Sequence, residues 1–276
     1  MIFVLYKLVC AKVKTMDYNI SIQFGDRVSM AIYLKDEFTA QYITNSNIKV
    51  ILEGTSALPI VKPDCYVFTG LNNKIYNVII KSDNYLMEKF PVNMEELPSN
   101  KAIFFTLKPS PAYPFPEKSN IIRLSLIDSQ EKAVEGANIE AAIVSEGSAA
   151  ARIMSTEGEN DIFNLVNISG GIGRGDIFEI KKKEGISAET CTIAGRIKNG
   201  KFKLTKPLAD EQLKGGLLMP LIYTRTDSRG ESVIYFRNFR EKSCEVRLKI
   251  ENEETERRIL MEEGKPILLG KVQIVV

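Results

Sequence analysis

The feature that most narrows what this chain can fold into is a period of two. Val28, Met30, Ile32 and Leu34 recur at alternate positions, with Ser29 and Tyr33 between them. Ile48, Val50 and Leu52 repeat the pattern, and Tyr76, Val78 and Ile80 do so again, with Asn77 and Lys81 opposite. Side chains two apart on a strand project to the same face, so each run predicts a half-buried strand. No segment carries a long apolar period of 3.6 residues, which confines helix to short turns near 94–97 and 209–213. Turn formers punctuate the runs at 36–37, 45–47, 53–54, 62–64 and 72–73. Short strands at this spacing predict a sandwich or a barrel.

The character of the chain changes along its length. Prolines at 109, 111, 114 and 116 deny backbone donors and favour an extended path, so 101–118 is predicted as a proline-rich linker. Strands resume at Ile122, Leu124 and Leu126 and at Ile139–Val144. From Arg152 to Leu221 the chain is richer in glycine and lysine. After Leu221 the alternating pattern returns, with Val246, Leu248 and Ile250 set against Glu245, Arg247 and Lys249.

Composition excludes several classes. At 276 residues the chain is long enough for two domains, or three small ones. Lys and Arg total 37 against 35 Asp and Glu, a net charge of +2, which gives no electrostatic reason to expect nucleic acid. The densest basic run, Lys181–Lys183, is flanked by Glu179 and Glu184 and reads as a solvated loop. The absence of histidine excludes Ser-His-Asp and Cys-His catalysis. The four cysteines, Cys10, Cys65, Cys191 and Cys244, lie far apart with no C-x-x-C pair, and read as free thiols rather than a disulfide framework or a zinc site. The apolar start, Met1–Tyr6, is interrupted by Lys7 and is too short to span a membrane. It lacks the order of a signal peptide, so residues 1–16 are predicted as an extension or extra strand of a protein that is cytoplasmic at synthesis, with no membrane insertion.

Two stretches look like one domain type written twice. The first reads Lys62-Pro-Asp-Cys-Tyr-Val-Phe-Thr-Gly-Leu71, then Tyr76-Asn-Val-Ile-Ile80. The second opens with Val134-Glu-Gly-Ala-Asn-Ile139 and continues with Thr226-Asp-Ser-Arg-Gly-Glu231 and Ile234-Tyr-Phe-Arg-Asn-Phe239. This resembles the carboxypeptidase regulatory-like family of transthyretin-like (prealbumin-like) β-sandwiches. The resemblance departs at Cys65, where the family usually has glycine, and at Cys244-Glu-Val246, which replaces a "Y-x-V" strand. It covers half to two-thirds of the chain. It implies that Phe236 and Phe239 drop into a sandwich core, and that the module serves as a spacer, docking surface or binding domain. Between the halves of the second copy, Gly171–Ile180, Gly200–Leu208 and Lys214–Gly216 are similar to small β-barrel modules of phage-like and surface proteins.

Other signals yield to plainer readings. Gly170-Gly-Ile-Gly-Arg-Gly175 precedes a strand rather than a helix, so a tight turn is favoured over a phosphate loop. Arg174-Gly-Asp176 is an adhesion tripeptide only if its aspartate stands exposed at a hairpin tip. The sequons at Asn19 and Asn167 carry little weight without a convincing signal peptide. Pairs such as Asp227 with Glu231, or Asp128 with Glu131, are too few for calcium and read as turn chemistry. Asp26, Asp36, Glu37, Asp64 and Asp83 are scattered over the first module with no spacing that requires an acid–base pair. Tyr66, Phe68, Tyr76 and Tyr85 are expected in the core, whereas Phe104, Phe105, Tyr113 and Phe115 form the candidate interaction surface, as a seam or a docking patch.

The expected fold is all-β: two Ig-like, prealbumin-like β-sandwiches, the second interrupted by a small β-barrel. The sandwiches are placed at 17–100 and at 119–145 plus 222–276, and the barrel at 146–221. The expected role is a non-enzymatic structural or adaptor protein, with no cofactor and no metal, that docks onto protein partners or itself within an assembly such as phage-tail-like contractile injection machinery. Two alternatives stand beside it: a soluble or surface module that recognises carbohydrate or protein through its loop ends, and an atypical carboxylate-based hydrolase.

Overall fold

In a computed structural model, the described residues are 27–44, 47–182, 187–198, 200–209, 213–237, 240–253 and 255–275. The predicted extension 1–16, the Asn19 sequon, Asp26 and Phe239 lie outside them, as does part of the turn at 209–213. The chain divides between Ala112 and Tyr113 into two compact units.

The first unit holds β1 (Val28–Asp36), β2 (Tyr42–Ile43), β3 (Lys49–Leu52), β4 (Ile60–Val61), β5 (Tyr66–Thr69), β6 (Ile75–Lys81), β7 (Glu88–Asn93) and β8 (Ala102–Leu107). One sheet runs β2-β1-β5-β4 with β8 beside β1; the other runs β3-β6-β7. β1 pairs antiparallel with β5 and β2 and parallel with β8. The alternation predicted for β3 and β6 is present: Val50, Leu52, Tyr76, Val78 and Ile80 are buried while Lys49 and Lys81 are exposed. Tyr66, Phe68 and Tyr85 are buried too. A 3-10 turn at Met94–Glu96 follows β7, its first turn capped by the Asn93 side chain, which accepts from the Glu95 amide.

Two expectations are corrected by this sheet. β1 is not half-buried: Ala31 and Tyr33 on its outer face are buried along with Met30, Ile32 and Leu34 on its inner one. It is the central strand of its sheet, and Ala31, Tyr33, Cys65, Val67 and Ala102 form a second apolar cluster on the outer face. Residues 102–107 are strand rather than linker. Their partner is β1, about 70 residues away in sequence, and no local pattern reveals such a pairing.

The second unit holds β9 (Asn120–Ile127), β10 (Asn138–Ile143), β11 (Ala151–Glu157), β12 (Ile162–Val166), β13 (Ile177–Lys181), β14 (Ser187–Arg196), β15 (Lys201–Leu204), β16 (Leu217–Arg225), β17 (Glu231–Phe236), β18 (Ser243–Ile250), β19 (Arg257–Glu262) and β20 (Ile267–Gln273). A three-stranded sheet, β17-β9-β20, faces a layer ordered β16-β10-β18-β19. Between them lie Ile122, Leu124, Leu126, Ile139, Met219, Ile234, Phe236, Val246, Leu248 and Val272. Phe236 thus occupies the core that the resemblance implied.

Both sandwiches share a topological signature. In each, the first described strand is flanked by an antiparallel partner and by the last described strand in parallel: β5-β1-β8 in one and β17-β9-β20 in the other.

The barrel grows out of the second sandwich through one shared strand. β11, β12, β15, β14, β13 and β16 pair in succession, and β16 returns to β11 to close the ring. β10 and β11 lie end to end on the same edge of β16, separated by a short turn over Glu146–Ser148. Leu221 pairs with Ala142 of the sandwich on one side and Ile177 of the barrel on the other. The barrel has its own core of Ile153, Phe163, Phe178, Ile193, Phe202 and Leu204. Alternate residues of its strands fill it, as closure of a small barrel requires.

Turn chemistry closes the sandwich end. Asp227 Oδ1 accepts from the amides of Arg229 and Glu231, 2.9 and 3.0 Å away. Gly230 takes φ +71°, and a Cβ there would lie 2.5 Å from the Leu126 carbonyl oxygen. Only glycine fits this position. Arg229 also reaches Glu231 at 2.7 Å, so the carboxylates of this turn are engaged by protein.

Candidate interaction surface

Neighbouring residues on a strand face opposite ways, so Phe104 and Phe105 cannot share a surface. Phe105 turns inward and stacks on Phe90 of the facing sheet, with centroids 4.1 Å apart and planes 11° apart. Phe104 turns outward. It sits in register with Tyr33 across the parallel β1–β8 pair, and their rings stack at 5.0 Å. Tyr42, on β2, comes within 6.3 Å of Tyr33 and 6.1 Å of Phe104. Tyr33 is 7% exposed, whereas Tyr42 and Phe104 are 54% and 50% exposed. The result is a three-ring face: one buried ring fixes two that stand half in solvent.

Tyr113 and Phe115 belong to the second unit and have another task. Their rings meet at 4.6 Å, and Phe115 lies 5.8 Å from Tyr235 on β17 with the Arg123 guanidinium over its face. Tyr113 and Phe115 therefore cover part of the outer side of the β17–β9 pair. Of the four predicted surface aromatics, only Phe104 presents half its area to solvent. Tyr33 and Tyr42 are not among those four. The adjacent phenylalanines of β8 are the sequence signal for an outward ring, but Tyr42 sits in a two-residue strand too short to show a period.

At the sandwich end next to Tyr42 lies a pocket of about 310 Å³, lined by Tyr42, Ile43, Thr44, Asn47, Ile48, Pro63, Ser82, Asn84 and Tyr85. Tyr85 is locked there because its hydroxyl donates to Asp36 Oδ2 at 2.7 Å. Asp36 is buried and also caps the Thr39 amide at 2.8 Å.

The remaining sequence candidates are structural. The Asp176 carboxylate of the Arg-Gly-Asp tripeptide is 12% exposed, ion-paired to Arg237 and bonded to the Gly173 amide, so it is not displayed. β13 follows it directly, without the helix a phosphate loop needs. Burial pushes the Cys191 thiol up to about 12, reinforced by Glu189, and the Cys244 thiol up to about 11, reinforced by Glu241. Neither is a thiolate near neutrality. Among the described residues no group of three or more Cys, Asp or Glu side chains is placed to hold a metal. None of the described helices is long and apolar enough to cross a membrane.

No family model and no curated protein matches the chain. Among solved structures, it is similar to a streptococcal ancillary pilin, at 9% identity over 89% of this chain and 98% of that one, with a TM-score of 0.20. It is also similar to the shaft pilin spaA of Lactobacillus rhamnosus GG, at 9% identity over 88% and 95% of the chains and a TM-score of 0.24. The Bacillus anthracis TIE protein matches at 9% identity over 90% of this chain and 50% of its own, with a TM-score of 0.22. Scores this low assign neither a role nor a partner. The carboxypeptidase regulatory-like resemblance finds no matching family model.

Proposed function

We propose that this chain is a non-enzymatic structural or adaptor protein that docks onto a protein partner through the Tyr33–Tyr42–Phe104 face of its first unit. The observation that carries the reading is the combination of exposure and restraint in these rings. Aromatic side chains dominate the energetics of protein interfaces, and rings already fixed in place lose little entropy on binding. Tyr42 and Phe104 are half-exposed yet held by stacking on the buried Tyr33. The inaccessible thiols and the absence of histidine agree with a role other than nucleophilic catalysis. A place in phage-tail-like contractile machinery receives no support from the fold or from the similar structures.

Size-exclusion chromatography with light scattering, over a concentration series, tests self-docking first. Growth of the wild-type mass with concentration, abolished in Phe104→Ser, places the contact on this face. A wild type that stays monomeric removes the second copy as the partner. Binding to candidate partner proteins, with Phe104→Ser as the control, then decides the reading. Equal binding by both forms overturns it.

A further inference from the structure

The pocket beside Tyr42 has a lining that selects for one kind of ligand. Its charged neighbours, Lys49, Lys62, Asp64, Lys81 and Asp83, are not among the lining residues, so among the described residues no carboxylate, ammonium or guanidinium borders the cavity. An anion finds no countercharge there, and a cation finds no carboxylate. What remains is two tyrosine rings, two carboxamides and two aliphatic hydroxyls. Rings offer a flat apolar face, and amides and hydroxyls supply both donors and acceptors.

Both rings are pre-set. Tyr85 is tied by its hydroxyl to the buried Asp36, and Tyr42 leans on Tyr33 and Phe104. Asn84 is pinned by its backbone: its amide donates to Ser82 Oγ at 3.2 Å, and its carbonyl accepts from the Ser110 amide at 2.9 Å. Its side-chain carboxamide makes no hydrogen bond to the described residues, although it lines the cavity. Two donors and an acceptor are therefore held at the wall by a fixed backbone, unspent on the described residues. At about 310 Å³ the cavity is at the small end of ligand pockets, which run to about 300–1,000 Å³. It suits one ring of a saccharide and not a folded polymer.

We propose that this pocket is a binding site for a neutral pyranose unit of a glycan, with the exposed ring of Tyr42 against the ring carbons, the buried Tyr85 in the pocket wall and Asn84 bonded to its hydroxyls. The site is independent of the protein-docking face except that the two share Tyr42. Exclusion of charged sugars follows from the uncharged lining, and weak, millimolar binding follows from the single-ring size.

Saturation-transfer NMR on the full chain tests this, with the methyl glycosides of glucose, galactose, mannose and N-acetylglucosamine as neutral probes and glucuronic acid as the charged one. The expected result is transfer to at least one neutral glycoside and none to glucuronic acid. Asn84→Ala is expected to weaken binding by about three- to tenfold, the worth of one lost hydrogen bond or two. Asn84 lies outside the docking face, so Asn84→Ala is expected to weaken sugar binding and leave partner binding unchanged, and failure of the docking face and failure of the sugar site are told apart. Amide chemical-shift mapping of the wild type, with shifts confined to the surroundings of Tyr42–Thr44, Asn47–Ile48 and Ser82–Tyr85, supports the location without any variant. No transfer to any neutral probe overturns the proposal. Preference for glucuronic acid, or shifts elsewhere on the chain, does so equally.

Discussion

Arg247 Nη2 lies 2.7 Å from Glu179 Oε2, and this contact joins the sandwich to the barrel inserted in it. Arg247 stands on β18 of the sandwich and Glu179 on β13 of the barrel. Glu140, on β10, approaches the same guanidinium nitrogen at 3.3 Å. The side chains of Arg247 and Glu179 are 20% and 13% exposed, so solvent screens this pair less than an open surface pair.

Removing Glu179 leaves the partly desolvated Arg247 guanidinium with only its longer contacts to Glu140 and Glu256, at 3.3 and 3.8 Å. Glu179→Gln is expected to destabilise the second unit by about 1–3 kcal/mol, more than an exposed ion pair contributes. Urea unfolding measures it. A double-mutant cycle with Arg247→Met then isolates the coupling, expected at about 0.5–3 kcal/mol.

The turn after β16 has no room for another side chain. Gly230→Ala places a methyl group against the Leu126 carbonyl at a positive φ. The expected loss is about 2–3 kcal/mol, the sum of backbone strain and a contact that must be relieved by moving β9. Asp227→Ala removes two amide acceptors from the same turn and is expected to cost about 1–2 kcal/mol. Thermal melts of the two variants against wild type give the order.

The buried thiols make a prediction about alkali. Cys191 and Cys244 have folded pKa values raised above the ordinary thiol value of 9.0, mainly by desolvation. The folded state therefore keeps protons that the unfolded chain releases, and stability falls as pH rises. Their contribution is fully present below pH 9 and is lost on the way to about 12. The melting temperature is expected to decline across that window, and less so in Cys191→Ala once its own cavity penalty is subtracted. Iodoacetamide at pH 8 is expected to leave both residues unlabelled until denaturant is added, as peptide mass mapping reads directly.

Because Leu221 pairs with both Ala142 and Ile177, the barrel and the second sandwich share a backbone ladder. Phe163→Ala, deep in the barrel core, is expected to lose about 3–5 kcal/mol. Hydrogen exchange is expected to quicken in β10 and β16 as well as in the barrel strands. Acceleration confined to the barrel indicates that the two open separately.

Much of this architecture is legible in the sequence because burial on one face writes itself as alternation. Val246, Leu248 and Ile250 read correctly for that reason, and so does the turn from Asp227 to Gly230, whose chemistry is local. β1 misleads because a strand covered on both faces has no polar side to reveal its period; Tyr33 reads as outward and is buried. β8 reads as linker because its partner is remote and the prolines after it dominate the local signal. The candidate surface is half legible. Two adjacent phenylalanines announce one outward ring, but the ring's neighbours, Tyr33 and Tyr42, are brought to it only by β1 pairing with β2 and β8 at once.

The parallel pairing of first and last strands has a mechanical consequence. In a parallel pair, the start of one strand and the end of the other lie at opposite ends of the ladder. A pull between the start of β1 and the end of β8, or between the start of β9 and the end of β20, therefore runs along that ladder, with six register pairs in each. The bonds are loaded in shear and must give way together; the same strands joined antiparallel would peel apart one bond at a time. Tension transmitted along the chain thus meets each sandwich in the direction in which its closing seam resists most.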